Sequence, residues 1–556
     1  MLAAGCGSFP APGNSTSETA GTDDGVGDDV GDDDDDDDDD DDGVPDVDPL
    51  SVNEPKVARL TDAQYRYTVQ DIFGVELTEE EADALPPDIP TGRDYSTTAE
   101  LQVFTSQYVL GYAEVARSIT ARLTTDDLVA VHGGCDAVEE GCRPDFIAGL
   151  GHRLYRRPLT EDEIERYLDL ADTIAERSET NEDDVVRGIT QALMQTPQFL
   201  YRIEDETDGD PGTVRRVDGW ELASRLSYFL WQSTPDEELL GFAAGPDGDG
   251  EFDPDALPEQ LERMIADAKF ARSRELFWGD YTMATRSNFG GAEDALADEM
   301  RDSLLETLAQ MSGVGSDPRP LSDMFDGQQL VMTPAVAEIA GANPIDDGMQ
   351  VYDAADAEER TGVVTHPAFL ASIGTTSFVG RGLFLSERLL CQHVAEPPAD
   401  VAEEIEDTAM ATEDMTPREA SEFRFGLEPV CLGCHTQFEP IAYAFERYDI
   451  AGGYTLTDEQ GRDLFADGSL PAAGGLAQIE FEDANELLTA LAGEDAVYSC
   501  LVENMTEFGT GRRANRIGDF HQEATDTFVD EGLTFEQLLL STAGSEQLTL
   551  MRVVAP

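Results

Sequence analysis

One short motif in the chain combines residue types and a spacing that can do specific chemistry. Cys431, Cys434 and His435 form the pattern C-x-x-C-H, with Leu and Gly between the cysteines, and this is the spacing of c-type haem attachment. In such sites both thiols form thioethers with the porphyrin vinyl groups, and the adjacent histidine ligates the iron. The motif therefore predicts c-type haem (heme c) as cofactor. Cys431 and Cys434 are the predicted attachment residues, and His435 is the predicted proximal iron ligand.

Two other sites use a pair of cysteines at this spacing. A redox dithiol of the thioredoxin type should follow a strand in a βαβ unit, and no such pattern surrounds residues 431–435. A zinc ribbon needs a second C-x-x-C pair, which the sequence does not contain. Haem attachment is the interpretation that remains favoured.

The second axial ligand of the iron is less defined by the sequence. Met505 lies on a helical pattern after Cys500, and ligation by Met and His would raise the reduction potential. The same residue also fits an ordinary core position. His366 and His393 are alternative ligands, and a five-coordinate iron is a further alternative.

The remaining cysteines have structural roles in this interpretation. Cys6 follows a run of small residues that resembles the lipobox of bacterial lipoproteins, and is the predicted lipidation site. Cys135 and Cys142 lie close together in a polar loop and predict a local disulfide in an exported protein. Cys391 and Cys500 are left by elimination as a further pair.

The N-terminal segment has a composition that cannot form a packed core. Residues 1–55 contain no Lys or Arg, and residues 32–42 are an unbroken run of eleven aspartates. Such a segment repels itself into an extended, disordered linker, with calcium binding a weaker alternative. No stretch reaches the roughly 20 apolar residues of a membrane span. A lipid anchor at Cys6 is therefore the only predicted link to a membrane.

Charge restricts the partners of this chain of 556 residues. Its formal net charge is −82, so it repels nucleic acid, and no nucleic-acid partner is predicted. Only two of its bases are lysines, Lys56 and Lys269. This acidic surface is either an adaptation to a salty medium or a solvated surface without a special function. The predicted lipid anchor at Cys6 indicates an exported protein of the cell envelope, periplasmic or on the outer surface.

Hydrophobic periodicity then indicates a mainly α fold that must position the motif. Capping boxes at residues 61–64 and 160–163 each precede an apolar stripe of helical spacing. The fold class predicted is several serial helical domains with a cytochrome c-like, haem-binding C-terminal part, preceded by the disordered acidic linker. The predicted segments are 1–55 (lipoprotein-like N-terminus and linker), 56–130 (first helical domain), 131–205 (second helical domain), 206–345 (central helical domain), 346–455 (haem-motif domain) and 456–556 (C-terminal helical domain).

Blocks along the body resemble the planctomycete-type cytochrome-associated proteins, which are large exported proteins built from serial domains of unknown function. The blocks are Arg59–Tyr65, Leu154–Thr160, Glu221–Trp231, Thr361–Pro367, Cys431–Gly453 and Cys500–Arg512. The resemblance implies the domain plan and an envelope location but no settled reaction. One departure concerns the site, because Glu439-Pro440 stands where the family usually has Asp-Pro.

These observations predict electron transfer, or a haem-dependent redox step with an unknown redox partner, without a defined catalytic residue. The alternative is a cell-surface structural or binding protein in which Cys431 and Cys434 form a disulfide and no haem is bound. A hydrolase is disfavoured because the sequence has no G-x-S-x-G, H-E-x-x-H or P-loop motif.

Overall fold

A computed structural model of the chain describes most of the body. The described residues are 54, 56–85, 87–88, 94–102, 105–131, 140–177, 182–204, 210–315, 318–394, 415–427, 429–513 and 521–553, with the backbone alone at 140, 182, 424–427 and 429–431. The predicted linker, residues 1–55, lies outside these residues except for Glu54, and so do Cys6 and Cys135. All described residues belong to one compact unit, Asp46–Pro556.

Helices make up most of the described chain, which confirms the predicted mainly α class. In chain order they are α1 Asp62–Phe73, α2 Glu79–Asp83, α3 Ser106–Arg122, α4 Thr125–Ala130, α5 Arg143–Tyr155, α6 Glu161–Ala175, α7 Glu182–Leu193, α8 Pro197–Leu200, α9 Gly219–Leu230, α10 Glu237–Ala244, α11 Leu257–Ala266, α12 Phe270–Tyr281, α13 Asp294–Met311, α14 Asp323–Asp326, α15 Pro334–Ile339, α16 Pro367–Ser372, α17 Phe378–Leu390, α18 Pro417–Leu427, α19 Pro429–Tyr443, α20 Ala484–Leu491, α21 Asp495–Thr510, α22 His521–Asp530, α23 Phe535–Ala543 and α24 Glu546–Thr549.

The strands are short and pair two by two in antiparallel fashion. They are β1 Val57–Arg59 with β2 Tyr201–Ile203, β3 Val214–Arg216 with β8 Leu550–Arg552, β4 Gln329–Met332 with β5 Gln350–Asp353, and β6 Gly468–Leu470 with β7 Ile479–Phe481. In the second pair, Val214 stands opposite Arg552 and Arg216 opposite Leu550. This ribbon therefore joins the start of the central segment to residues near the chain end.

Local sequence signals explain where several helices begin. Thr61 and Thr160 cap α1 and α6, and each forms the predicted capping box with a residue three positions later. Their hydroxyls accept backbone N–H groups that have no partner inside the helix, which fixes the first turn. Gly74, in the left-handed conformation with φ 69°, ends α1, as glycine readily does.

Two hydrophobic cores organise the unit. The first is formed almost entirely by residues between Leu60 and Leu200. The second runs from Val217 to Met551 and also takes in Tyr95. The segments predicted as central, haem-motif and C-terminal domains thus share one core. Because neighbouring helices bury their apolar faces together, the motif helix is held by elements from several segments.

No helix in the described part of the chain has both the length and the apolar character that crossing a membrane requires.

Candidate functional site

The C-x-x-C-H motif lies on α19, which starts at Pro429. Proline suits the first helical turn because its missing N–H would have no partner there. Cys434 carries a free thiol and is exposed, and the side chain of His435 is 28% exposed. Leu432, between the cysteines, is also exposed. The described part of the motif therefore faces solvent on one side of the helix.

One turn further along α19, Glu439 holds the ring of His435. The Nδ1 atom of His435 lies 2.9 Å from Oε1 of Glu439. Residues four apart share a helix face, so this pairing follows from their spacing. The carboxyl group of Glu439 is buried, with 1% of the side chain exposed. Its Oε2 accepts a hydrogen bond from Ser421 on α18.

The helix α17 packs closely against α19. Gly382 on α17 lies so close to α19 that an added Cβ atom would stand 2.5 Å from the carbonyl oxygen of Phe438. Ser386 donates to the same carbonyl at 3.4 Å. Pro440 lies inside α19, where it cannot donate a backbone hydrogen bond. The buried Arg381 donates hydrogen bonds to backbone carbonyls just after the helix, including that of Phe445 at 2.6 Å.

The structure places the candidate distal ligands in different settings. Met505, on α21, is 1% exposed and belongs to the second hydrophobic core. His366 is fully buried, with its Nδ1 accepting from Ala368 at 3.1 Å and its Nε2 lying 3.2 Å from the carbonyl of Val331. Burial lowers the pKa of His366 to about 4. A distal role for Met505 stays a prediction, while His366 has a structural role at the start of α16.

His393 is the other candidate that the sequence offered. Its Nε2 lies 3.1 Å from Oε1 of Glu503, and its side chain is 35% exposed. It therefore lies at the surface, next to the end of α17. An ion pair or hydrogen bond with Glu503 accounts for its position.

A disulfide joins the helices α17 and α21. Cys391 and Cys500 are bonded, with their Cα atoms 5.2 Å apart, as elimination among the cysteines suggested. The side-chain amide of Asn504 lies 3.3 Å from the sulfur of Cys500 and 3.4 Å from that of Cys391. Cys142 is also disulfide-bonded; its predicted partner Cys135 is outside the described residues.

The donor groups present fit a covalently attached haem. The free, exposed thiol of Cys434 is available for a thioether bond. A metal-bound histidine usually donates its other ring N–H to a carboxylate or carbonyl, which fixes the ring and its tautomer. The contact with Glu439 engages Nδ1, so Nε2 would be the atom that ligates the iron of a bound haem. Among the described residues no cluster of three or more His, Cys, Asp or Glu is arranged to hold a bare metal ion.

Ser421 is the residue of this arrangement that sequence reasoning missed, because α18 and α19 meet only in the folded chain. Glu439 was noted as the acid before Pro440, but its contact with His435 was not inferred. The signal was present in the sequence, since the two residues are four positions apart.

Four family models match successive parts of the chain. Residues 58–125 match PSD3, described as "Protein of unknown function (DUF1587)", and residues 142–204 match PSD5, "Protein of unknown function (DUF1595)". Residues 217–341 match PSD4, "Protein of unknown function (DUF1592)". Residues 360–458, which contain the motif, match PSCyt3, "Protein of unknown function (DUF1588)". No curated protein and no solved structure shows a significant match.

Together the matches cover more than half of the chain. The protein is thus a mainly helical, multidomain chain built from these four domains in series. These four domains in series are the domain plan of the planctomycete-type cytochrome-associated proteins that the sequence resembles. All four domains are of unknown function.

Proposed function

We propose that the protein is an exported electron-transfer protein that carries one c-type haem at Cys431, Cys434 and His435. The observation that carries this proposal is the contact between His435 and the buried Glu439, 2.9 Å long. It gives the histidine of a C-x-x-C-H motif the carboxylate partner that iron-ligating imidazoles commonly have. The motif supplies the residue types, and this contact orients the ring of His435.

Each residue of the site has a defined task in this proposal. Cys431 and Cys434 would hold the haem by adding their S–H bonds across its two vinyl groups, so that each S–H would become a C–S and a C–H bond. His435 would ligate the iron, and Glu439, in contact with Nδ1, would keep the ring in one orientation. When bound, the haem supplies a one-electron centre. Because Cys434 is exposed, a haem held there would lie near the surface, where a redox partner could approach.

Export and anchoring are part of the same proposal. Covalent haem attachment and the Cys391–Cys500 disulfide both suit an oxidising compartment outside the cytoplasm. A lipid at Cys6, followed by the acidic segment up to residue 55, would tether the body to the cell envelope. No further membrane contact is needed for this role.

The rival proposal, a structural or binding protein with a Cys431–Cys434 disulfide, has less support. Cys434 is a free thiol in the structure, whereas that role requires it to be bonded. The two proposals differ in one measurable property, the presence of covalent haem.

The test is a visible spectrum of the full chain, produced in a host that matures c-type cytochromes. We expect a Soret band and sharp bands in the reduced state that survive denaturation in guanidinium chloride. The double variant Cys431→Ser/Cys434→Ser should lose both. A colourless wild-type protein from that host would overturn the proposal and favour the binding role.

A matched control removes two cysteines elsewhere. The double variant Cys135→Ser/Cys142→Ser has the same loss of thiols but leaves the motif intact, and it should keep the full haem content. Loss of haem in this control as well would mean that the spectrum does not report on the motif.

A further inference from the structure

The strand β5 is the exposed edge of a two-stranded sheet. Its neighbour β4 is an inner strand, because Leu330, Val331 and Met332 are all buried. Val351 of β5 stands directly opposite Val331 but is 45% exposed. In the described part of the chain no third strand joins this sheet, so the side of β5 that faces away from β4 is open.

The hydrogen bonds of Val331 show which backbone groups of β5 face this open side. The N–H of Val331 donates to Oγ1 of Thr307 at 2.9 Å, and its carbonyl lies 3.2 Å from Nε2 of His366. Both groups therefore point away from β5. In an antiparallel pair, two opposite residues either exchange both bonds or both turn their N–H and C=O groups outward. The N–H and C=O groups of Val351, and of Asp353 two residues on, thus face the open edge.

Apolar side chains are exposed along the same edge. Met349 is 43% exposed and lies two residues before Val351, the spacing at which side chains of an extended strand share a face. Ile345, 58% exposed, is held to the strand because its N–H donates to the hydroxyl of Tyr352 at 3.3 Å. Single exposed apolar side chains are ordinary, but a group of them along an open strand edge is the usual setting for addition of another strand.

The charge around this edge selects the partner. Asp346, Asp347 and Asp353 are exposed, and none of these carboxylates is in an ion pair with another described residue. Between Arg319 and Arg360 the chain has nine acidic residues and no Lys, Arg or His. A second copy of the chain would bring the same carboxylates against each other and be repelled. A segment with basic side chains would be attracted.

We propose that the outer edge of β5 binds an extended segment of a partner protein that carries Lys or Arg beside apolar side chains. The segment adds as a third strand, and its backbone pairs with the N–H and C=O groups of Val351 and Asp353. Its apolar side chains cover Met349 and Val351, while its basic side chains approach Asp346 and Asp347. The backbone bonds give affinity, and the side chains give specificity. This interaction does not depend on a bound haem.

The first test uses a synthetic peptide of sequence KKITVTKK that carries a fluorophore. Its binding to the full chain is measured by fluorescence anisotropy at about 0.15 M salt, where weak long-range attraction is screened. The control peptide KKGSGSKK has the same charge but lacks the β-branched residues that favour a strand. We expect KKITVTKK to bind at least about tenfold more tightly than the control. Equal affinities of the two peptides would overturn the proposal.

A pair of matched variants tests the position of the site. Val351→Lys places a positive charge on the edge strand and should weaken the binding of KKITVTKK about tenfold or more. Leu110→Lys makes the same kind of change at another exposed residue, on α3, and should keep the wild-type affinity. An equal loss in both variants, or no loss in Val351→Lys, would contradict the site. Sedimentation that shows a dimer dissociated by Val351→Lys would assign the edge to a second copy instead and overturn a basic partner.

Hydrogen exchange of the wild-type chain, followed by mass spectrometry, tests strand addition without any variant. The amides of Val351 and Asp353 face the open edge, so they should exchange slowly only when KKITVTKK is bound. The control peptide KKGSGSKK should leave their exchange unchanged. Protection that appears only outside residues 345–353 would refute the addition of a strand to β5.

Discussion

Replacing Glu439 tests the geometry of the site most directly. Glu439→Ala removes the acceptor for both His435 and Ser421. Ser421 is 4% exposed, so its hydroxyl would lose a partner without gaining water, at a cost of about 1–3 kcal/mol. The ring of His435 is 28% exposed and can turn to solvent at a smaller cost. With the lost packing of the side chain, we expect the free energy of unfolding to fall by about 2–4 kcal/mol.

Glu439→Gln is the matched variant, because it keeps the shape of the side chain and one carbonyl acceptor. Its amide oxygen still accepts from Nδ1 of His435, and its NH2 group faces the Ser421 hydroxyl, which can accept. We expect it to cost less than about 1.5 kcal/mol. The assay is urea denaturation of the two variants beside the wild type, followed by far-UV circular dichroism.

The same pair of variants gives a second readout in the haem-loaded protein. Glutamine is neutral, so it stabilises the oxidised, more positive iron less than the carboxylate does. The reduction potential of Glu439→Gln should therefore lie above that of the wild type, while its haem content is unchanged. Alanine and glutamine variants of equal stability, or a potential that does not rise in Glu439→Gln, would refute a direct contact between Glu439 and His435.

Three further outcomes follow from features of the second core. Burial lowers the pKa of His366 to about 4 from its usual 6.5. As the pH falls from 6.5 to 4, the unfolded chain therefore takes up a proton on this histidine before the folded chain does. The free energy of unfolding should fall by about 3 kcal/mol over this range. In His366→Asn that part of the pH dependence of unfolding should disappear. Opening the Cys391–Cys500 disulfide, which closes a separation of 109 residues, should cost about 5 kcal/mol in a denaturation experiment. Gly382→Ala should cost about 1–3 kcal/mol by the same assay, because the new Cβ meets the backbone of α19.

Two of these outcomes have a control in the chain. The surface variant His393→Gln should lose as much stability between pH 6.5 and 4 as the wild type does. If His366→Asn showed the same pH dependence of unfolding as the wild type, the prediction would be contradicted. Gly433, on α19 itself, has open space where a Cβ would stand, so Gly433→Ala should be neutral or stabilise by up to about 1 kcal/mol. A harmless Gly382→Ala would mean that α17 and α19 are not in close contact. If the disulfide contributed little to stability, the denaturation midpoints with and without reductant would be equal.

The sequence was most informative where local rules decide the outcome. The capping boxes at Thr61 and Thr160 predicted the starts of α1 and α6 because side chain and backbone donors lie three residues apart. The C-x-x-C-H motif is equally local, and it lies on one helix, as its short spacing allows. The Cys391–Cys500 pair was accessible only by elimination, because the fold alone brings α17 and α21 together.

Contacts between distant segments could not be read from periodicity. Ser421 has no feature in the sequence that marks it as a partner of Glu439, since serine is common at helix surfaces. The open edge of β5 was also invisible, because only the fold shows that Thr307 and His366 occupy the other side of β4. The apolar periodicity predicted which face of a helix is buried, but not which other helix packs against it.

The pairing of β3 with β8 has a consequence for how the protein acquires its structure. Residues 214–216 stay without their partner strand until residues 550–552 are present, and the second core stays incomplete until then. The matched segments 217–341 and 360–458 therefore share this core and do not each enclose one of their own. The β3–β8 pairing joins residues far apart in the chain, so closure of this core should be slow and should come last. Any enzyme that attaches a haem to residues 431–435 would then meet the motif on a chain that is still open.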